Sequence, residues 1–142
     1  MNKVVGYTTG VFDLFHIGHL RLLKRAKRHC DYLIVGVSTD ELVTNYKKRS
    51  PVIPLSDRLE IVSSIKYVDE VVLQTNRDKK QQFKDISYDI LFVGDDWKGD
   101  PLWEDLEQYL SKYGAKVRYF SYTDHVSSTK LNNLLKEIYE VS

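Results

Sequence analysis

The stretch that decides the fold is Gly10-Val11-Phe12-Asp13-Leu14-Phe15-His16-Ile17-Gly18-His19. It follows a short apolar run that indicates a first β-strand, and it precedes a segment with helical periodicity. The two imidazoles therefore lie at a strand-to-helix corner. In a parallel α/β sheet this corner faces the ligand crevice, and the helix that follows offers N–H groups to anions. Gly18 has no side chain, so a phosphate can approach the backbone between the two rings.

Short β-branched runs alternate with amphipathic segments along the whole chain. This alternation predicts an α/β fold, a single domain over 1–142 with a doubly wound parallel sheet. All strand-to-helix corners then meet at one edge of the sheet. The predicted strands are Lys3–Thr8, Tyr32–Val37, Glu70–Leu73, Ile90–Gly94 and Lys116–Phe120.

The charge balance limits the partners. The formal net charge is +1 and the two signs are interspersed, so we expect neither a nucleic-acid nor a membrane surface, and any anion specificity is local. The first residues lack the apolar stretch of a signal peptide, and we expect a cytoplasmic protein. The single cysteine, Cys30, is expected to be a small buried apolar residue rather than a nucleophile.

The histidine stretch resembles the HxGH signature of the nucleotidyltransferase superfamily, and further matches point to its cytidylyltransferase branch, nearest to the bacterial glycerol-3-phosphate cytidylyltransferases. The resemblance implies a Rossmann-like nucleotidyltransferase fold, Mg²⁺ as cofactor, a homodimer, and synthesis of a CDP-alcohol from CTP and a phosphorylated alcohol. The further matches are Ser38-Thr39-Asp40-Glu41, Asp57-Arg58-Leu59, Tyr67-Val68-Asp69-Glu70-Val71, Gly94-Asp95-Asp96-Trp97 and Ser127-Ser128-Thr129-Lys130.

Such a reaction needs a phosphate-monoester oxygen to attack the α-phosphorus of the triphosphate and to expel pyrophosphate. The attacking oxygen is already ionised near neutral pH, so the protein must position the reactants and neutralise charge. We expect His16 and His19 to donate N–H bonds to the phosphate oxygens, and the nearby anion to favour their protonated forms. The resemblance makes them the catalytic pair.

The resemblance also implies a set of charged helpers. Lys47 and Lys48 match a lysine-bearing loop that closes over the phosphates, and the sequence leaves open which of them does so. Prolines make the segment from Tyr46 to Leu55 irregular. Arg58 matches a family arginine, and we expect it to share a face with Lys66 on a helix from Ser56 to Lys66. Asp13 either holds Mg²⁺ or fixes its loop by accepting N–H groups.

Binding residues complete the expected site. The nucleotide-binding residues are expected to be Gly10, Val11, Phe12, Asp13, Gly18, Gly94, Asp96, Trp97, Thr123, Ser127, Ser128 and Thr129. The acceptor-binding residues are expected to be Lys66, Tyr122 and His125.

Four positions depart from the glycerol-3-phosphate pattern. Tyr122 replaces an arginine beside the phosphates, His125 replaces a glycine, Lys66 replaces an arginine, and Val11 stands where threonine is usual. The loss of arginine removes a bidentate cation. His125 is the nearest replacement in sequence. Phosphoethanolamine or a sugar-alcohol phosphate therefore stays open as the acceptor beside glycerol 3-phosphate.

Three other functions share parts of this pattern. A small adenylyltransferase would share the fold and both histidines, but Lys130 and its neighbours lack the arginine that those enzymes carry in the last helix. A nucleotide-binding sensor without turnover would not need the intact set of His16, His19, Lys47 and Arg58. A flavodoxin-like electron carrier would need a hydroxyl-rich phosphate loop after the first strand, where this chain has Phe and His.

Overall fold

Five parallel strands form a sheet in the computed structural model, which describes residues 3–121, 133, 134 and 136. The strand order is β3-β2-β1-β4-β5, and every pairing is parallel. The prediction of a parallel sheet is confirmed, with every predicted strand in place and β1 shifted by two residues. The strands are β1 (Val5–Gly10), β2 (Tyr32–Ser38), β3 (Glu70–Gln74), β4 (Ile90–Gly94) and β5 (Lys116–Phe120).

Helices connect the strands and cover both faces of the sheet. One apolar core joins α1, α3 and one face of the sheet around Leu23, Val35 and Phe92, and a second joins α4, α5 and the other face around Tyr7 and Leu110. No helix in the described residues is long and apolar enough to cross a membrane. The helices are α1 (Ile17–Lys27), α2 (Asp40–Lys47), α3 (Leu55–Ser63), α4 (Lys79–Ile86) and α5 (Pro101–Ser111).

Two helix boundaries differ from the sequence prediction. The Thr39 hydroxyl caps α2 by accepting the N–H of Leu42, and the helix runs to Lys47, inside the segment predicted to be irregular. It ends where Lys48 takes a left-handed conformation with φ of 61°. The predicted helix from Ser56 to Lys66 stops at Ser63, so the prediction was too long at its C-terminal end.

The strand order places β1 at the centre of the sheet. From β1 the chain passes to β2 on one side, and it later returns to β4 on the other side. This reversal opens a crevice at the carboxyl ends of the strands, which is where open α/β sheets bind ligands. The stretch 10–19 begins at the end of β1, so it lies in this crevice.

Lys79, which forms no ion pair with a described carboxylate, lies on the α4 side of the same edge. The Lys79 ammonium donates to Thr9 Oγ1 at 2.9 Å, to Gln82 Oε1 at 3.3 Å, and to Gln74 Oε1. Burial, together with the positive charge of Arg77, lowers the pKa of Lys79 to about 7. Between pH 7 and 10 the unfolded chain therefore holds a proton that the folded chain lacks, and stability rises with pH across that window.

We expect Lys79→Met to abolish this rise. In the wild-type protein the free energy of unfolding should increase by about 1–2 kcal/mol between pH 7 and 9.5, as measured by urea denaturation. Lys80→Met is the matched control, because Lys80 is paired with Asp105 at the surface and its pKa is raised. An equal slope in the Lys79 variant and the wild type would show that Lys79 does not titrate in this window.

Candidate active site

The loop between β1 and α1 is held in an unusual backbone conformation. Phe12 and Leu14 adopt positive φ angles of 56° and 49°, which cost free energy for residues with a side chain. Packing compensates for this cost, because Phe12 is only 3% exposed and its ring lies 5.4 Å from the ring of His19. The loop therefore presents its two histidines from a fixed frame.

The two histidines cap α1 through a reciprocal pair of hydrogen bonds. His16 Nδ1 accepts the N–H of Gly18 at 3.0 Å, and His19 Nδ1 accepts the N–H of His16 at 3.1 Å. The rings stack with centroids 3.9 Å apart. Without these rings, the N–H groups of His16 and Gly18 would have no hydrogen-bond partner within the helix. The Gly18 N–H is thus engaged by His16, whereas the sequence had left it open to a phosphate.

This capping fixes the protonation of both rings. Burial lowers the pKa of His16, and it lowers the pKa of His19 to about 4, with the charge of His16 adding to the effect and that of Asp13 opposing it. The expectation of protonated rings concerns the phosphate-bound protein and stays a prediction, whereas in the free protein burial favours the neutral rings. Because each Nδ1 accepts a hydrogen bond, each neutral ring carries its proton on Nε2. Two Nε2–H donors remain for other partners.

One of these donors is left unused inside the protein. His16 Nε2 is buried and has no hydrogen-bond partner among the described residues. An unsatisfied buried donor costs about 1–3 kcal/mol. A ligand oxygen that accepts from His16 Nε2 would recover this cost, so the loop is built to receive an acceptor atom.

Arg58 is placed differently from the sequence expectation. Its side chain is fully buried and donates to the carbonyls of Ile53 at 2.9 Å, Val11 at 2.8 Å and Ser38 at 2.7 Å. It also donates to the Asp40 carboxylate at 2.5 Å. Four of the five guanidinium N–H donors are thus engaged by the protein. Arg58 joins the loops that follow β1 and β2, so its role in the structure is to position them.

Asp13 strengthens the same connection. Its carboxylate accepts the N–H groups of Val52 and Ile53, both at 2.8 Å, and the residue is 7% exposed. This matches the loop-fixing alternative of the sequence analysis. The described residues contain no group of three or more His, Cys, Asp or Glu side chains that fits a metal ion. Mg²⁺ binding by Asp13 stays a prediction.

The structure distinguishes between the two lysines of the basic run. Partial burial and the charges of Arg49 and Arg77 lower the pKa of Lys47, while Asp13 raises it. Asp13 also raises the pKa of His19, so Lys47 and His19 both lie within electrostatic reach of the same carboxylate. Lys48 forms the left-handed end of α2. Lys47 is thus the lysine of this run that shares a charged neighbour with the histidine pair.

The segment after β4 lies at the expected edge. Asp95–Trp97 forms a turn of 3₁₀ helix directly after Gly94, the last residue of β4. Trp97 is 38% exposed, and its ring lies 6.0 Å from that of Trp103. The exposed indole offers a flat surface beside the crevice, as a nucleotide-binding role for Gly94, Asp96 and Trp97 requires.

Lys66 lies at the opposite edge. It falls after α3 and before β3, at the amino ends of the strands, and its Nζ lies 5.3 Å from the ring of Tyr67. The expectation that Lys66 shares a helix face with Arg58 is wrong, because α3 ends at Ser63. Within this chain, the position of Lys66 does not support acceptor binding.

Several predicted residues lie outside the described part of the chain, and their assignments stay predictions: Tyr122, Thr123, His125, Ser127, Ser128 and Thr129. Conversely, the structure brings two cations to the site edge that the sequence analysis missed, Arg77 and Lys79. Their positions shortly after β3 are the signal that identifies them, because the carboxyl ends of parallel strands share one edge.

Comparisons with known proteins agree with this geometry. Residues 7–134 match the family described as Cytidylyltransferase-like. The chain is 40% identical to the glycerol-3-phosphate cytidylyltransferase of Bacillus subtilis, over 92% of this chain and 95% of that protein. It is 36% identical to the FAD synthase of Thermococcus kodakarensis, over 92% and 89% of the two chains.

A solved structure shares the fold. The crystal structure of the lipopolysaccharide core biosynthesis protein from Thermoplasma volcanium superposes with a TM-score of 0.74 and 30% sequence identity. The match covers 87% of this chain and all of that chain. The Rossmann-like nucleotidyltransferase architecture predicted from the sequence is confirmed.

We expect Arg58→Lys and Arg58→Met to destabilise the protein by about 3–5 kcal/mol, because each leaves buried carbonyl groups without donors. Chemical denaturation measures this loss. Arg28→Met serves as the control, since Arg28 is exposed at the end of α1 and its loss should cost less than about 0.5 kcal/mol.

The same variants separate positioning from catalysis. If Arg58→Lys kept its full stability and lost only reaction rate, the guanidinium would act on a substrate rather than on the loops.

Proposed function

The chain belongs to the Cytidylyltransferase-like family, and from this premise we propose that it transfers the cytidylyl group of CTP to a phosphorylated alcohol. Pyrophosphate is the second product. Glycerol 3-phosphate is the acceptor we favour, because a glycerol-3-phosphate cytidylyltransferase is 40% identical over 92% of the chain. Another phosphoalcohol stays open, since Tyr122 and Val11 depart from the glycerol-3-phosphate pattern.

The buried Nε2–H of His16, which has no hydrogen-bond partner among the described residues, carries this proposal. A phosphate oxygen can accept a hydrogen bond from this N–H. The negative charge on the oxygens of the α-phosphate grows as the phosphoalcohol oxygen attacks the α-phosphorus. A donor fixed in advance stabilises that charge without reorganisation in the transition state. His19 lies stacked 3.9 Å away and offers a second Nε2–H. Together the two rings bind charge that forms during the reaction.

The acceptor supplies its own nucleophile. A phosphate-monoester oxygen is ionised near neutral pH, so no base is needed, and the histidines act in this step as N–H donors. Lys47 adds a positive charge within electrostatic reach of Asp13, whose charge also acts on His19. The residues thus position the phosphates and neutralise their charge, and we assign no nucleophilic role to the protein.

Mg²⁺ belongs to the proposal as a companion of the triphosphate. Mg²⁺ is commonly held by substrate phosphates and only one or two carboxylates, and when bound it would neutralise phosphate charge. Asp13 is the residue proposed to hold the ion. A homodimer and a cytoplasmic location also stay proposals that rest on the resemblance.

Adenylyl transfer is the second candidate. It is favoured by the FAD synthase relative, because flavin adenine dinucleotide contains an adenylate and that relative is 36% identical. The two reactions use the histidines in the same way and differ in the nucleobase of the triphosphate. A nucleotide sensor would bind a triphosphate without turnover.

The experiment that tests the proposal is a panel of four nucleoside triphosphates against several phosphoalcohols, with Mg²⁺ and with pyrophosphate release as readout. We expect turnover with CTP, and glycerol 3-phosphate as the best acceptor. Turnover with ATP alone would move the function to adenylyl transfer. Binding of a triphosphate without turnover in any pairing would support the sensor.

His16→Ala and His19→Ala should each lower kcat by about 10²-fold or more, because each removes a donor that strengthens in the transition state. Each also removes a helix cap, so we expect a stability loss of about 1 kcal/mol that is measured separately. His29→Ala is the matched control, because His29 is exposed beyond the far end of α1. Normal turnover in either variant would remove that histidine from the reaction.

A further inference from the structure

Arg77 lies at the carboxyl edge of the sheet, three residues after β3 ends. Its guanidinium carbon is 4.6 Å from the centroid of the Tyr46 ring, a distance typical of cation–π contact. Lys47 Nζ lies 6.0 Å from the same ring. One aromatic side chain at the end of α2 therefore holds Arg77 and Lys47 close together.

Electrostatic coupling places Arg77 near β1 as well. Lys79 Nζ donates to Thr9 Oγ1 at 2.9 Å, next to the last residue of β1. The charge of Arg77 lowers the pKa of Lys79, and it lowers the pKa of Lys47, in both cases in addition to the larger effect of burial. Arg77 is thus within electrostatic reach of the ends of both α2 and β1.

These cations form no ion pair in the described part of the chain, and the one acidic side chain whose charge acts on Lys47 is Asp13. The ion pairs found there join Lys27 to Asp69, Arg58 to Asp40 and Lys80 to Asp105. Lys47, Arg49 and Arg77 repel one another unless an anion lies among them. A guanidinium offers two parallel N–H groups, which match two oxygens of a phosphate.

The position of Lys47, Arg49 and Arg77 favours binding of the phosphorylated acceptor rather than of the triphosphate. β2 and β3 lie on one side of β1, and β4 lies on the other, with the 94–97 segment proposed for the nucleotide. Lys47, Arg49 and Arg77 therefore lie across β1 from the segment proposed for the nucleotide, on the side that remains for the second substrate.

We infer that Arg77, supported by the Tyr46 ring and beside Lys47, binds the phosphate of the phosphorylated acceptor. This inference rests on the function proposed above. Arg77 would supply a positive charge in place of the one missing at Tyr122, where the glycerol-3-phosphate pattern has an arginine. Arg77 binds the ground state, so its loss should act on acceptor affinity more than on kcat.

The test compares Arg77→Gln, Arg77→Lys and the exposed control Arg28→Gln. For Arg77→Gln we expect the acceptor KM to rise about tenfold or more, with the CTP KM changed less than about twofold. Arg77→Lys should recover part of the lost acceptor affinity, because lysine keeps the positive charge but not the two parallel N–H donors of the guanidinium. An acceptor KM within twofold of wild type, or an equal rise in the CTP KM, would overturn the inference.

A binding measurement keeps this result separate from the proposed function. Inorganic phosphate should raise the melting temperature of the wild type and of Arg28→Gln, and Arg77→Gln should lose most of that shift. If no nucleotide and acceptor pair turns over, the proposed function fails, and the phosphate shift still tests Arg77. An unchanged shift in Arg77→Gln would then overturn its role as a phosphate ligand.

Discussion

The buried guanidinium of Arg58 is the interaction on which the site depends. It donates to backbone carbonyls after β1, at the end of β2 and before α3, and to the carboxylate that begins α2. A charge taken out of water is tolerated only when its donors are satisfied, which ties the three segments to one geometry. Asp13 repeats the connection through the N–H groups of Val52 and Ile53. The histidine loop and the basic run around Lys47 are consequently held together before any substrate arrives.

The histidine pair is fixed by helix capping. Each Nδ1 accepts an N–H of the first turn of α1, so the proton of each neutral ring stays on Nε2. Burial favours the neutral form in the free protein. A bound phosphate shifts this balance toward the charged form, because an anion stabilises imidazolium. The fixed Nε2–H donors are thus suited to a phosphate whose negative charge increases as it reacts.

The charge of the whole chain is nearly balanced, and the site departs from that balance locally. Lys47, Arg49 and Arg77 form no ion pair with the residues described, and Lys79 binds only neutral oxygens. The charge concentrates where the ends of α2, β1 and β3 meet. Under the proposed function, specificity for phosphate compounds follows from a few positioned side chains, because the net charge of the chain is only +1.

The sequence by itself determined the parallel sheet, the strand positions, the corner that holds His16 and His19, and the likeness to cytidylyltransferases, because period-two patterns and the HxGH motif are local signals. It did not determine the role of Arg58, the end of α3 before Lys66, or the approach of Arg77 to Lys47. Only the tertiary structure decided these, since a side chain's partners come from segments far apart in the chain. Arg58 meets carbonyls 47 and 20 residues away, and such pairings leave no periodic trace in the sequence.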